Sequence, residues 1–225
     1  FGNQIVDEDV SPTEIAADPF DNISGAAIQT GPDLFMPERA NSKGWDMRDT
    51  PDMSAIDAAR GAFANHAWTA DPVVVGQTPD GTMHPVLNPA KPNDHVGQVM
   101  WAGPETVVQA CEAASPWNAP AVVRAAALTH AAHLYEENFG ELFALLHREA
   151  GKSVMDAIAE LREAVDFLRY YAARATDAPA LGRFACISPW NFPLAIFTGQ
   201  IAAALAAGNA VLAKPAEQTP LIAVR

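Results

Sequence analysis

The sequence predicts an α/β fold in which a small strand layer and a helical layer precede the start of a parallel sheet. Three observations predict it. Residues 73–103 carry short apolar runs, Val73-Val74-Val75 and Val96-Gly97-Gln98-Val99-Met100, broken by Pro, Gly and Asn-Pro, as in strands of a small antiparallel layer. From Pro104-Glu105 onward the apolar spacing becomes helical and stays so until the region of Ala175. Finally, Phe184 to Ile187 has the character of a buried strand, Leu194 to Ala207 that of an apolar helix, and Ala210 to Ala213 that of a second strand. Strand, helix, strand is a βαβ unit.

In chain order, residues 1–51 are rich in Asp, Pro, Gly and Asn and read as a linker. One short helix is expected after Ser11-Pro12-Thr13-Glu14, and Leu34-Phe35-Met36 forms an apolar knot suited to tethering on a neighbouring surface. A helix is expected from Thr50-Pro51-Asp52-Met53 to Phe63, with Ile56 and Ala59-Arg60 on one side. The division is therefore residues 1–51, 52–182 and 183–225. Breaks at Ser115-Pro116, Asn118-Ala119-Pro120, Gly140 and Gly151 split the helical stretch into four helices. The last, Lys152 to Ala175, places Val154, Ile158, Leu161, Val165 and Leu168 on one face and Asp156, Glu160, Glu163 and Arg169 on others. In the βαβ unit Pro193 suits the first turn of its helix, and Gly208-Asn209 supplies a left-handed stop.

Hydrophobic residues at 49% and charged residues at 18% describe a soluble globular chain rather than a disordered one. The net charge of -13 argues against a nucleic-acid surface and leaves no polybasic membrane patch. Cys111 and Cys186 lie too far apart in sequence for a disulfide framework or metal spacing, which suits a reducing compartment. No signal peptide opens the sequence, so the sequon at Asn22-Ile23-Ser24 is not read as glycosylated. His130 and His133 lie one helical turn apart without a third ligand, and packing is the simpler reading; no metal site is expected.

Parallel strands open both of their following turns on one carboxyl edge, where ligands bind in open α/β sheets. After Ile187 come Trp190 and Asn191; after Ala213 come Lys214 and, three residues on, Glu217. There is no Gly-x-Gly-x-x-Gly turn for a pyrophosphate. By residue type alone Asn191 reads as a turn residue, Trp190 and Phe192 as core, and Lys214 with Glu217 as a surface ion pair.

Pro189-Trp190-Asn191-Phe192-Pro193, followed by Lys214-Pro215-Ala216-Glu217-Gln218-Thr219-Pro220, resembles the start of the cofactor domain in the aldehyde dehydrogenase superfamily. The wording from Glu149-Ala150-Gly151-Lys152 through Asp166-Phe167-Leu168-Arg169-Tyr170-Tyr171 to Ile196-Phe197-Thr198-Gly199-Gln200-Ile201 resembles one branch, the 1-pyrroline-5-carboxylate dehydrogenase half of the bifunctional proline utilization A family. The resemblance covers essentially all of the sequence. It implies an incomplete Rossmann-like NAD-binding domain at residues 183–225, and a linker leaving a proline dehydrogenase barrel, with its FAD, at residues 1–51.

The same resemblance implies site roles. Asn191 would donate to the aldehyde oxygen as it becomes an oxyanion, and Phe192 would line the aldehyde pocket. Glu163 would face the amine end of glutamate semialdehyde, or else lie on a solvated helix face. Ile187, Ser188, Pro189, Trp190, Lys214, Ala216 and Glu217 would contact NAD, with Trp190 near the nicotinamide ribose and Lys214 and Glu217 on the adenosine ribose. Glu217 would disfavour the 2′-phosphate of NADP. The nucleophilic cysteine, the glutamate base and a later glycine turn would lie beyond Arg225. Cys186 reads instead as an inert strand thiol, and Cys111 as a core residue.

The resemblance further implies a cytoplasmic, homo-oligomeric enzyme, peripheral to the inner membrane as an intact protein. The short stretch from Tyr171 to Gly182 puts an oligomerisation hairpin in doubt. With a two-stranded sheet edge open, the segment alone is expected to be unstable or to aggregate, and to be inactive. Two rival readings are an aldehyde dehydrogenase of broader substrate range and a catalytically dead dinucleotide-binding module.

Overall fold

The computed structural model describes residues 8–18, 29–76 and 80–225. The sequon and the first seven residues lie outside them. The one-turn helix α1 (Pro12–Ile15) is capped by Ser11, and α2 (Thr50–Gly61) by Asp49, with Pro12 at the first helical position of one and Pro51 at the second of the other, within the first turn, where a missing N–H costs nothing.

Next comes a three-stranded sheet of β1 (Trp68–Ala70), β2 (Gly81–Asn88) and β3 (Lys91–Ala102), in the order β1-β3-β2. The expected layer is present, but it is mixed rather than antiparallel: β2 pairs antiparallel with β3 and β1 pairs parallel with it. Val73-Val74-Val75 is not a strand, and Val73 and Val75 are 87% and 86% exposed. An unbroken apolar triplet after Pro72 has no alternation with which to choose a buried face. Trp68-Thr69-Ala70 does alternate, and buries both ends. Pro85 is accommodated because β2 is an edge strand.

Four helices follow as expected: α3 (Pro104–Ala113), α4 (Ala121–Glu137), α5 (Phe139–Arg148) and α6 (Val154–Ala173). Gly140 does not break a helix. It sits inside α5 where that helix crosses α2, and a Cβ there would meet the Ala59 Cβ at 2.7 Å. The break falls at Asn138. Ser153 and Asp156 form a reciprocal capping box at the start of α6, immediately after Gly151 turns the chain at φ 66°. Ile158, Leu161, Ala164, Val165 and Leu168 of α6 form the centre of the core with Leu142, Phe143, Leu145 and Leu146 of α5. Glu160, expected on a polar face, is 1% exposed. His130 and His133 are exposed rather than packed, and so is Cys111, because the faces of α3 and α4 that carry them are not covered.

The parallel unit is β4 (Arg183–Ile187), α7 (Ala195–Ala206) and β5 (Ala210–Lys214), with β4 and β5 in register from Arg183 opposite Ala210 to Ile187 opposite Lys214. Gly208 ends the helix at φ 76°, as expected. β4 is not the buried strand predicted. Only Cys186 is buried, while Phe184 and Ile187 are 40% and 65% exposed. Helix α7 packs against both strands of this two-stranded sheet.

Residues 38–45 are pinned along α4 and α6 rather than passing freely. Ser42 donates from its backbone and hydroxyl to Asp166 at 2.7 and 2.9 Å, and the Lys43 N–H donates to Glu136 at 2.7 Å. Leu34, Phe35 and Met36 stay about half exposed.

Arg148 joins the strand layer to the helices. Its guanidinium donates to both Asp94 oxygens at 3.1 and 2.7 Å and to the carbonyls of Phe63, His66 and His95. It also lies 5.2 Å from the Trp68 ring. These bonds hold the Asp94 carboxyl down at about 2, below its ordinary 3.8. Breaking one partner of such a buried pair costs about 3–5 kcal/mol, and denaturant unfolding of Arg148→Met is expected to show a loss of that order. Because the Asp94 pKa is depressed on folding, the pair's stabilisation is present above pH 3.8 and is lost as pH falls through 2. That acid limb should be absent in Asp94→Asn.

Candidate active site

The edge formed by the carboxyl ends of β4 and β5 gathers most of the polar residues that the sequence singles out. The Ser188 N–H donates to the Lys214 carbonyl at 3.1 Å, carrying the ladder one step past β4, and the Ser188 hydroxyl donates to the Pro189 carbonyl at 3.2 Å. Residues 189–193 then leave the sheet as an irregular turn. Trp190 is 56% exposed, Phe192 is 42% exposed, and Asn191 is exposed between them. Neither aromatic is core: both stand on the turn beyond the sheet edge, about half exposed. Pro193 stands just before the helix rather than in its first turn, since Leu194 is the N-cap.

Leu194 supplies no side-chain cap to α7. The orphan donors at a helix start need acceptors when buried. Here Glu160 Oε2, from the middle of α6, accepts from the N–H groups of Leu194 and Ala195 at 3.3 and 2.9 Å. Glu160 Oε1 lies 3.0 Å from Lys152 Nζ, and that ammonium sits 4.4 Å from the centre of the Phe192 ring. Glu163 follows one turn along α6 on its exposed side. Desolvation raises the Glu163 pKa, the charge of Glu160 adds to the rise, and Lys152 opposes it.

On the second turn the Lys214 ammonium donates to Glu217 Oε1 at 2.7 Å, with both side chains about half exposed. That bond, the residue's own backbone N–H and the lysine charge hold the Glu217 carboxyl below its usual range. Ala216, between them in sequence, is buried. A donor and an acceptor side by side on an open edge match the two hydroxyls of a ribose. The Gln200 amide donates to the Ile187 carbonyl at 3.3 Å, which secures the end of β4 to α7 and leaves the Ile187 side chain outward.

The structure thus brings Phe192 against Lys152 and, through it, Glu160, with Asn191 exposed on the same turn, and places Lys214 and Glu217 on the adjoining turn. The start of α7 is already occupied by the Glu160 carboxylate, and Asn191 is exposed on the turn beside it. Sequence reading passed over Lys152 and Glu160. A signal for Glu160 was present: it follows Ala157 by three and precedes Ala164 by four, inside the stripe that packs inward. Among the described residues no group of three His, Cys, Asp or Glu side chains is disposed to hold a metal ion. None of the helices there is long and apolar enough to cross a membrane.

Cys186 is buried in β4, and burial raises its thiol pKa. Thiol labelling of the folded protein is expected to leave Cys186 unmodified until denaturant is added, as peptide mass mapping can read. Rapid labelling in the native state would reopen it as a nucleophile.

The sequence profile described as the aldehyde dehydrogenase family matches residues 76–225. The chain is 47% identical to the bifunctional protein PutA of Escherichia coli (strain K12), an alignment that covers 100% of this chain and 19% of that protein. It therefore spans 19% of the length of that relative and of its similar Klebsiella aerogenes counterpart. Among solved structures, proline utilization A from Bdellovibrio bacteriovorus inactivated by N-propargylglycine aligns with a TM-score of 0.79 at 29% identity, covering 95% of this chain and 25% of that one. The 1-pyrroline-5-carboxylate dehydrogenase from Thermus with bound NAD aligns with a TM-score of 0.73 at 29% identity, covering 82% and 41%.

Proposed function

The chain belongs to the aldehyde dehydrogenase family, and we propose that it forms the front part of a 1-pyrroline-5-carboxylate dehydrogenase module. In that module L-glutamate γ-semialdehyde is oxidised to glutamate, on a longer chain that also bears an FAD-dependent proline dehydrogenase. The observation that carries the proposal is the placement of Asn191, exposed on the turn after β4, on the same sheet edge as the Lys214–Glu217 pair. Similarity to bifunctional PutA proteins along the whole chain supports it.

Within this reading Asn191 donates its amide hydrogen to the aldehyde oxygen and strengthens that bond as the oxygen becomes anionic. A fixed donor of this kind is worth about 3–4 kcal/mol of barrier. Phe192 walls the aldehyde pocket, and the carboxyl of Glu163 receives the substrate's amino group. The cysteine nucleophile and the glutamate base come from other parts of the longer protein. Cys186 is buried in β4 and Cys111 is exposed on α3, and neither belongs to the turn.

The edge fits NAD: Lys214 and Glu217 present the donor and acceptor that an adenosine ribose takes, and Ile187, Ser188, Pro189, Trp190 and Ala216 line the path between the two turns. NAD bound there supplies the hydride acceptor. The carboxylate of Glu217 repels a 2′-phosphate and so selects NAD over NADP. The intact protein is a cytoplasmic homo-oligomer in this reading.

Asn191→Ala in the full-length protein is expected to lower kcat by about 10²–10³-fold; unchanged turnover would sink the oxyanion role. Glu217→Gln is expected to raise kcat/KM with NADP relative to NAD. Activity that is equal on simple aliphatic aldehydes and on glutamate semialdehyde would favour a broad-range aldehyde dehydrogenase instead.

A further inference from the structure

The turn that bears Asn191 is gripped at both ends. At its start the Ser188 N–H is held by the Lys214 carbonyl at 3.1 Å. At its finish the N–H groups of Leu194 and Ala195 are held by the carboxylate of Glu160, which comes from a different helix and is 1% exposed. Five residues hang between these anchors, Pro189 to Pro193, and two of the five are prolines with fixed φ. Nothing in the turn's own sequence caps α7. The direction in which Asn191 leaves the sheet edge is therefore set largely by Glu160.

A buried carboxylate with two backbone donors on one oxygen still needs compensation on the other. Lys152 provides it at 3.0 Å, with its side chain 16% exposed. The same ammonium touches the turn directly, 4.4 Å from the Phe192 ring centre, one residue from Asn191. Lys152 is itself fixed: it follows the left-handed Gly151 and precedes the capping-box residue Ser153, and its N–H donates to the Leu146 carbonyl at 3.0 Å. The core helices α5 and α6 thus reach the turn through one ion pair.

We propose that Glu160 and Lys152 are positioning residues for the Asn191 amide, holding the turn so that this donor meets the developing oxyanion. The inference rests on the oxyanion reading above and adds two residues to which that reading gives no part. Misplacement of a reacting or stabilising group by about 1 Å can cost on the order of 100-fold in rate. Loosening the grip should therefore appear in kcat rather than in substrate or dinucleotide binding.

The test is a double-mutant cycle in the full-length protein. Lys152→Met and Glu160→Gln are each measured alone and together with Asn191→Ala, with kcat, KM for glutamate semialdehyde and the NAD dissociation constant as readouts. Alone, each is expected to lower kcat at least about tenfold while KM and the NAD constant move less than about threefold. In the Asn191→Ala background the further loss is expected to be under about twofold, because the group being positioned is gone. Lys152→Arg, which keeps a cation by Glu160 and over Phe192, should recover part of the loss.

A purely structural cap would cost the same factor in both backgrounds, and that result, or no loss in either, overturns the proposal. If Glu160→Gln does not accumulate as folded protein, Lys152→Met and Lys152→Arg decide the matter by the same criterion. Asn191→Ala measured alone separates failure of the oxyanion reading from failure of the positioning role.

Discussion

A carboxylate from one layer caps the backbone of the next, and the arrangement of the edge depends on it. Glu160 accepts from the first N–H groups of α7, with Lys152 against its second oxygen. The same device recurs where the chain re-enters after β5. Glu149, at the end of α5, accepts from Leu221 and Ile222 at 2.7 and 2.9 Å, one oxygen each. Burial pushes the Glu149 carboxyl up to about 7 against the pull of those two bonds. A charge placed in such surroundings is tolerated only because backbone donors that would otherwise be orphaned receive it. These two joints are therefore directional hydrogen bonds, which fix register in a way that apolar contact alone does not.

Packing around these joints is built to let backbones come close. Helix α7 is rich in Ala and carries one Gly, Gly199, where a Cβ would meet the Phe167 ring of α6 at 2.8 Å. Where α7 meets α4, the Tyr135 and Thr198 hydroxyls lie 3.2 Å apart, so the polar atoms that close packing buries find each other. Arg124 ties the far end of α7, donating to the carbonyls of Ala206 and Thr176 at 3.1 and 2.6 Å, and also to the carbonyl of Ala119. At one end of α7 a carboxylate receives N–H groups, and near the other a guanidinium donates to carbonyls. Each charge has the sign that the adjacent helix terminus favours.

Most of the architecture was legible because it follows from periodicity and punctuation. The four helices, the Gly208 stop and the parallel pair were set by apolar spacing and by residues with few backbone options. What was not legible depended on partners distant in sequence. Val73-Val74-Val75 has strand-like composition but no neighbour, whereas β1 formed from the plainer Trp68-Thr69-Ala70 because β3 offers it a ladder. The exposure of Phe184 and Ile187 reflects which layers stand beside β4, and local hydrophobicity does not encode that. Glu160 looked solvated by residue type, and its burial is decided by the start of α7, 34 residues later. The turns at the sheet edge were visible from their residue types, while their geometry came only from the two anchors.

The central claim is that the Asn191 amide faces the oxygen of a reacting aldehyde, held there from α6. The most direct test is a crystal structure of the full-length protein with NAD and the product glutamate. The Asn191 amide nitrogen is expected within about 3 Å of the γ-carboxylate oxygen that derives from the aldehyde, with the Glu160 bonds to Leu194 and Ala195 intact. A glutamate bound at this edge with Asn191 turned away, or bound elsewhere, would contradict the account.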